Sequence, residues 1–300
     1  MATVLTVMNM KGGVGKTTAA SHLAGMAANY DLGKGKPLKV LLIDYDPQFN
    51  SSQAYVEAKK YFSLEKEGKT VLSVLVEDTT KLDPFKLYVP GNHTPPKVKD
   101  IVTSISDGKH GGKLDLVLSS LDLMFVALGQ PNKTIDPIQD RFSKFIAEAR
   151  GIYDLIVIDC HPAGSIFTQT SLMNSDHVLI PVVPHKFALR GVGLMTRFMK
   201  SKQIGAQGPV PHILFNNVPR VNILPQEREI RRDKDVGGFC LRNTLKYYKA
   251  FADPEAGRNF VWNSSKPWSG AAFRNLETVC REIIGRIILW RATKMLLSLN

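Results

Sequence analysis

The feature that most constrains this chain is a glycine-rich stretch near its start, residues 10–18. An apolar run precedes it at residues 4–8, and an alanine-rich helical pattern follows it at residues 19–28. Strand, glycine loop and helix in this order form a phosphate-binding loop, because glycines let successive backbone N–H groups point at one anion and the helix adds its positive dipole end. The sequence therefore predicts a site for a nucleoside triphosphate.

Individual positions of this loop have separate predicted roles. The Lys16 ammonium can reach the β- and γ-phosphates, and the Thr17 hydroxyl can bind Mg²⁺. A glycine-rich turn before an ordinary surface helix is the alternative, which the flanking strand and helix disfavour. The predicted nucleotide-binding residues are Gly12, Gly13, Val14, Gly15, Lys16, Thr17 and Thr18.

The loop departs from the usual pattern at its first positions. Met10 stands where a glycine is usual, and a second lysine, Lys11, follows it. The stretch 11–18 resembles the deviant P-loop of the ParA/MinD family of ATPases. That resemblance implies that Lys11 reaches across a nucleotide-bound dimer to the phosphates held by the other subunit. A solvated lysine in a surface loop is the alternative.

Two acidic strand ends follow in the order that the resemblance implies. The apolar run 38–44 ends in the stretch 44–50, which resembles the family motif Asp-x-Asp-Pro-Gln-x-Asn. In the family, Asp46 would position the attacking water and Asp44 would support the hydration shell of Mg²⁺. A second apolar run ends in Asp159, the arrangement of a Walker B strand, whose carboxylate helps to hold Mg²⁺ through water. The stretch 159–164 resembles the family's second switch, with histidine in place of one proline.

The strand pattern at residues 213–217 ends in two asparagines. In the resembled family this region contacts the adenine base, so Asn216 is the predicted adenine contact. Together with the loop and the acidic motifs, this makes ATP with Mg²⁺ the predicted cofactor pair. Lys11, Lys16 and Asp46 are the predicted catalytic residues.

The charge of the chain is unevenly placed. Residues 1–185 hold 19 basic residues (Lys and Arg) and 19 acidic residues (Asp and Glu). Residues 186–300 hold 20 basic and 8 acidic residues. Such a basic segment points to a polyanionic partner, either nucleic acid or an anionic membrane, with a merely solvated basic face as the alternative. The resemblance implies a face for non-specific DNA binding. Its predicted residues are Lys200, Arg220, Arg228, Arg231 and Arg232.

The three cysteines are odd in number and widely spaced, which favours a reducing compartment over a disulfide framework. With a strand leading directly into the loop there is no signal-peptide pattern, so we expect a cytoplasmic protein, and DNA binding would place it on the nucleoid. Cys160 and His161 do not form a thiol–imidazole pair, because adjacent residues of an extended segment point to opposite sides.

Alternating apolar strands and helical patterns predict a single doubly wound α/β domain over residues 1–289, with a mainly parallel sheet. Residues 87–89 are predicted as a further short strand. Residues 290–300 form a predicted helical tail, in which apolar and basic residues alternate at helical spacing. Such a tail can lie on a membrane surface, and a longer packed helix is the favoured alternative.

The resemblance implies a ParA-like ATPase that partitions DNA or positions another cargo. ATP would join two subunits, the homodimer would bind DNA of any sequence, and a ParB-like partner would stimulate hydrolysis. A MinD-like membrane-binding ATPase is one alternative. A P-loop reductase component related to the nitrogenase iron protein is another, although it needs a pair of cysteines between subunits that the spacing here does not suggest.

Overall fold

A computed structural model of the chain describes residues 1–79, 82–83, 92–128, 135–161, 166–200, 208–256 and 260–297. The predicted strand at residues 87–89 lies outside these ranges. Within them, an eight-stranded sheet runs in the order β3-β4-β2-β5-β1-β6-β7-β8. The strands are β1 Thr3–Val7, β2 Lys39–Tyr45, β3 Thr103–Asp107, β4 Lys113–Val117, β5 Leu155–Cys160, β6 His177–Val182, β7 Val210–Val218 and β8 Leu245–Lys246.

Helices cover both faces of this sheet. The helices are α1 Lys16–Asn29, α2 Asn50–Tyr55, α3 Ala58–Lys66, α4 Val71–Leu75, α5 Val98–Ile101, α6 Leu123–Leu128, α7 Ile135–Ile152, α8 Ile166–Met173, α9 Ala188–Met199, α10 Pro225–Arg232 and α11 Ser269–Leu297. Every adjacent strand pair is parallel except β3 and β4. The fold is therefore the doubly wound, mainly parallel α/β fold that the sequence predicts.

The central strands are buried on both faces, which explains their nearly continuous apolar sequences. Side chains alternate between the two faces, so that Val4 and Leu41 enter one hydrophobic core and Leu5 and Leu42 enter the other. The first core lies against α4, α7, α8 and α9, and the second lies against α1 and α11. Two cores on one sheet hold the carboxyl ends of the strands in fixed positions.

The last helix, α11, continues past the predicted domain end at residue 289 to Leu297 without a break. Its apolar side chains, including Leu276 and Ile283, pack into the second core beside α1. Division into a domain over residues 1–289 and a separate tail over 290–300 remains a prediction. Among the described residues, none of the helices combines the length and apolarity that crossing a bilayer requires.

Candidate functional site

The loop between β1 and α1 lies at the carboxyl edge of the sheet, where β1 separates β5 from β6. Ligands of open α/β sheets bind at such a crossover point. Gly13 and Gly15 have left-handed backbones, with φ of 70° and 82°. A side chain on Gly15 would also collide with the Asn216 amide, so only glycine fits there. The loop is thus shaped by its own glycines and by a neighbouring strand.

Two asparagines hold this loop from outside. The Asn9 side chain donates to the Pro181 carbonyl at 2.7 Å and accepts from the Lys11 backbone N–H at 3.0 Å. The Asn216 amide, which is buried, donates to the Val14 carbonyl at 2.7 Å. Sequence reasoning missed Asn9. Its position directly after β1, at the sheet edge where polar side chains meet the loop, was the available signal.

Asp44 and Asp159 are paired in register on the adjacent strands β2 and β5. Both carboxylates are buried. Asp44 Oδ2 accepts from the backbone N–H and the hydroxyl of Ser52, both at 2.7 Å, and Asp159 Oδ2 accepts from the Ser51 hydroxyl at 2.9 Å. The two serines, at the start of α2, were also missed by sequence reasoning.

The Lys16 charge favours the ionised form of Asp159, but burial outweighs this effect. Burial raises the pKa of Asp44 well above its usual range, and the nearby Asp159 charge adds to this effect. Burial raises the pKa of Asp159 to about 6, although hydrogen bonds from Thr17 and Ser51 oppose the shift. Asp44 Oδ1 is buried with no hydrogen-bond partner in the described part of the chain. Oxygen donors and an unpaired buried carboxylate atom fit a hydrated Mg²⁺.

Asp46 lies on the loop after β2, at the opening of the same site. Its Oδ1 accepts from the backbone N–H of Gln48 at 2.9 Å, and its backbone carbonyl accepts from the Ser119 hydroxyl at 2.6 Å. These contacts fix the position of the Asp46 loop, and Asp46 lines the same cavity as the P-loop glycines. The role of Asp46 in positioning the attacking water stays a prediction.

A cavity of about 680 Å³ lies between the P-loop and the Asp46 loop. It contacts the glycines of the loop, Lys16, Thr17, Thr18, Asp46 and Gln48, and Phe251 closes one side. Lys16 is buried at its edge, and Lys11 is exposed at the loop entrance. The loop, Lys16, Thr17 and Asp46 thus border one cavity of nucleotide size.

A smaller cavity of about 190 Å³ lies on the other side of Phe251. Asn216, Asn217 and Tyr248 contribute to its wall. Both polar ends of Asn216 already have partners, because its Oδ1 accepts from the Asn217 backbone N–H at 2.8 Å. Asn217 is exposed and has a left-handed backbone, with φ of 56°. The adenine contact of Asn216 stays a prediction. In the structure, the Asn216 side chain contacts the P-loop at Val14.

The basic residues predicted to bind DNA have three different surroundings. Arg228 and Arg232 are exposed on one face of α10, where they line a shallow concavity with Leu189 of α9. Lys200 is exposed at the end of α9, and Arg220 is exposed on the loop after β7.

Arg231 differs from the other basic residues, because its guanidinium is held within the protein. It pairs with the buried Glu227 at 2.9 Å, donates to the Leu241 carbonyl at 2.8 Å and lies 4.8 Å from the centre of the Phe215 ring. These contacts indicate a structural role, so we leave Arg231 out of the DNA-contacting set.

The cysteines do not form a site. Cys160, Cys240 and Cys280 are all free and buried. Burial raises the pKa of the Cys160 thiol to about 12, which makes it a poor nucleophile. Residues 162–164 of the predicted second switch lie outside the described ranges.

Residues 2–206 match the family model described as "AAA domain". Chromosome-partitioning ATPase Soj of Treponema pallidum is 31% identical over 293 residues, which cover 95% of this chain and 98% of the relative.

Solved structures show the same fold. The pNOB8 ParA structure has a TM-score of 0.68 at 20% identity, covering 96% of this chain and 99% of that one, and this ParA has also been solved bound to nonspecific DNA. A putative plasmid partition protein of Borrelia burgdorferi, bound to AMPPNP, has a TM-score of 0.64 at 20% identity. The match covers 93% of this chain and 98% of the Borrelia chain.

The sequence match to Soj spans nearly the whole of both chains, and the family-model match spans the P-loop, the Asp46 motif and the Asp159 strand. The site geometry is consistent with this, because the loop glycines, Lys16 and Asp46 line one cavity and Asp44 and Asp159 are paired at the ends of two adjacent strands. The chain belongs to the ParA/MinD family of P-loop ATPases and is a ParA-like partitioning ATPase.

Proposed function

We propose that this protein binds and hydrolyses ATP with Mg²⁺, and that ATP binding switches it into a homodimer that binds DNA of any sequence. The observation that carries this proposal is a cavity of nucleotide size lined by the loop glycines, Lys16, Thr17 and Asp46, with the buried Asp159 hydrogen-bonded to Thr17. The AMPPNP bound to the Borrelia relative supports a nucleotide ligand.

Phosphoryl transfer requires charge neutralisation and an in-line water rather than covalent chemistry. The loop N–H groups and Lys16 would hold the phosphates, and Asp46 would orient the water. Thr17, with Asp44 and Asp159 acting through water, would hold Mg²⁺, which neutralises charge on the transferred phosphoryl group. Lys11 would complete the site from the second subunit, so that hydrolysis requires the dimer.

DNA binding would use the cations of α9 and α10. Arg228 and Arg232 are exposed on one helix face, Arg190 and Arg197 are exposed on α9, and Lys200 is exposed at the end of α9. One subunit offers only a few phosphate contacts, whereas a dimer doubles them on one rigid surface, and each contact adds counterion release. The nonspecific DNA bound to pNOB8 ParA supports this partner.

A ParB-like partner would stimulate turnover, and the ATP-bound dimer would reside on the nucleoid in the cytoplasm. The cycle of DNA binding and release would then position a plasmid, a chromosome region or another cargo.

The test is duplex DNA binding by fluorescence anisotropy in ATP and in ADP. We expect tight, salt-sensitive binding in ATP and weak binding in ADP. Lys16→Ala should abolish ATP binding and with it the difference between DNA binding in ATP and in ADP. Arg228→Glu combined with Arg232→Glu should abolish DNA binding and leave ATP-driven dimerisation intact. Lys59→Glu with Lys60→Glu, on exposed lysines of α3, is the charge-matched control.

Two outcomes would contradict the proposal. Unchanged ATP affinity in Lys16→Ala would remove the P-loop from nucleotide binding. Binding to anionic vesicles in ATP, without DNA binding and dependent on residues 290–300, would favour the MinD-like membrane alternative.

A further inference from the structure

A second exposed cationic surface lies away from α10, at the ends of β7 and β8. Its residues are Arg220, Lys246, Tyr247, Tyr248 and Trp268, which we call the aromatic–cationic surface. The Trp268 side chain is 67% exposed and that of Tyr247 is 57% exposed. Single exposed rings are common on protein surfaces, but aromatic rings clustered around an arginine and a lysine point to a binding surface.

The Trp268 backbone has a left-handed conformation, with φ of 67°. For a bulky residue this conformation is strained, and such strain is concentrated at functional positions. At the start of α11, the Ser269 N–H donates to the Lys266 carbonyl and the Ala272 N–H donates to the Trp268 carbonyl. The fold therefore holds an exposed indole at a helix start, where glycine would be unstrained.

Arg220 joins the aromatic residues into one surface. Its guanidinium carbon lies 5.2 Å from the centre of the Trp268 ring and 5.7 Å from that of Tyr248. Lys246 Nζ donates to the Arg220 carbonyl at 2.8 Å, which ties the end of β8 to this loop. Over the described ranges, neither Arg220 nor Lys246 has an ion pair with a carboxylate. Their charges are therefore available to an anionic partner.

Cations and exposed rings together select a particular class of partner. The cations favour a phosphate backbone, and an exposed indole or phenol stacks on a nucleobase. In a duplex the bases are already stacked inside, whereas an unpaired strand presents them. We propose that the aromatic–cationic surface binds single-stranded nucleic acid, with a phosphate at Arg220 and Lys246 and an unpaired base on Trp268.

The site is separate from the proposed duplex-binding face. Arg228 and Arg232 line a concavity with Leu189, and none of the five residues of the aromatic–cationic surface contributes to it. Lys246, Tyr247 and Tyr248 line the small cavity beside the P-loop instead. The inference depends neither on ATP hydrolysis nor on duplex binding, and it can fail or succeed independently of them.

The test measures the binding of three labelled probes to the full-length protein by fluorescence anisotropy. The probes are a 15-nucleotide oligothymidine, a 15-nucleotide oligouridine and a 15-base-pair DNA duplex. Trp268→Gly removes the ring and suits the left-handed backbone, so that the fold is retained. We expect this variant to bind both single strands roughly tenfold more weakly, as the loss of one stacked base implies. Its duplex affinity should change less than about twofold. Phe62→Ala, which removes a ring that is 56% exposed on α3, should change neither.

Arg220→Gln is the second variant, and it leaves the Trp268 ring in place. It should weaken single-strand binding and reduce the slope of log affinity against log salt by about 0.7, as loss of one phosphate contact predicts. The oligothymidine and oligouridine arms distinguish DNA from RNA.

Three results would overturn the inference. The wild-type protein could fail to bind either single strand, or Trp268→Gly could keep its single-strand affinity. Trp268→Gly could also lose single-strand and duplex affinity equally. Loss of binding to anionic vesicles in Trp268→Gly, with single-strand binding intact, would assign the surface to a membrane instead.

Discussion

The Lys11 ammonium nitrogen lies 2.8 Å from Nε2 of His185 in the same subunit. Lys11 belongs to the P-loop, and His185 follows β6, 174 residues later. In the proposed dimer, Lys11 has to leave this partner to reach the phosphates of the other subunit. In the proposed cycle the contact would therefore compete with dimerisation and hold the lysine within its own subunit before ATP binds.

His185→Ala removes this competing contact. Because an exposed hydrogen bond of a charged group contributes about 1 kcal/mol, the variant should dimerise in ATP up to roughly fivefold more tightly. Sedimentation velocity over a protein concentration series measures this. His93→Ala, which removes an exposed loop histidine elsewhere, is the control. A dimerisation constant in His185→Ala equal to that of the wild type would show that the contact does not restrain Lys11.

Asp46→Ala should bind ATP with nearly wild-type affinity and stall hydrolysis, because it removes the group proposed to orient the attacking water. The ATP-bound dimer should then persist, as seen by light scattering after ATP addition. Gln48→Ala, on the neighbouring position of the same loop, should retain most of the turnover. Wild-type phosphate release by Asp46→Ala would exclude Asp46 as the water-positioning residue.

Asn216→Ala deletes the hydrogen bond to the Val14 carbonyl. Leaving that carbonyl without its partner should lower the free energy of unfolding by about 1–2 kcal/mol and loosen the P-loop. ATP and GTP should lose affinity by the same factor, since the phosphates are common to both. A loss confined to ATP, measured with fluorescent analogues of both nucleotides, would instead support the predicted adenine contact. Asn217→Gly, which suits the left-handed backbone, is the control.

Arg231 and Arg228 should give opposite results when replaced by alanine. Arg231→Ala leaves the buried Glu227 carboxylate unpaired, so the free energy of unfolding should fall by about 3 kcal/mol. Arg228→Ala should change it by less than about 0.5 kcal/mol, because the side chain is exposed, while weakening duplex DNA binding. Urea unfolding and anisotropy measure the two effects. A stable Arg231→Ala variant that loses DNA binding would return Arg231 to the DNA-contacting set.

The buried pair His177 and His212 predicts a pH dependence of stability. The His177 Nδ1 lies 3.0 Å from the His212 Nε2. Burial, with smaller effects of His177 and Arg286, lowers the pKa of His212 to about 3. The unfolded chain therefore binds more protons than the folded one between pH 6.5 and pH 3, so stability falls as the pH falls through this window.

At pH 5, this contribution of His212 should be lower by about 2 kcal/mol than at pH 7. His212→Gln, which keeps a hydrogen-bonding partner for His177, should lose that part of the pH dependence. Urea unfolding of both proteins at pH 7 and pH 5 provides the comparison. An equal change in the free energy of unfolding between the two pH values for both proteins would contradict the assignment.

Much of the nucleotide site could be predicted from the sequence, because its parts are local. The glycines of residues 12–15 shape the loop through their own backbone freedom, and the buried strands place Asp44 and Asp159 at the carboxyl edge. Parallel strands align their carboxyl ends, so residues that follow different strands meet there. The motif order and the apolar strands were therefore sufficient for the fold and for the positions of the glycine loop and the two strand-end carboxylates.

Only the tertiary structure decided which distant side chains contact one another. Lys11 with His185, Asn216 with Val14, and Arg220 with Trp268 are separated by tens to hundreds of residues, and no local pattern encodes such pairs. The sequence alone could not distinguish Arg231 from Arg228, since both lie in one charged run. Helical rotation turns one guanidinium toward Glu227 and Phe215 and the other toward solvent. Local backbone chemistry thus determined the loop, and packing between distant elements determined what each exposed or buried charge can bind.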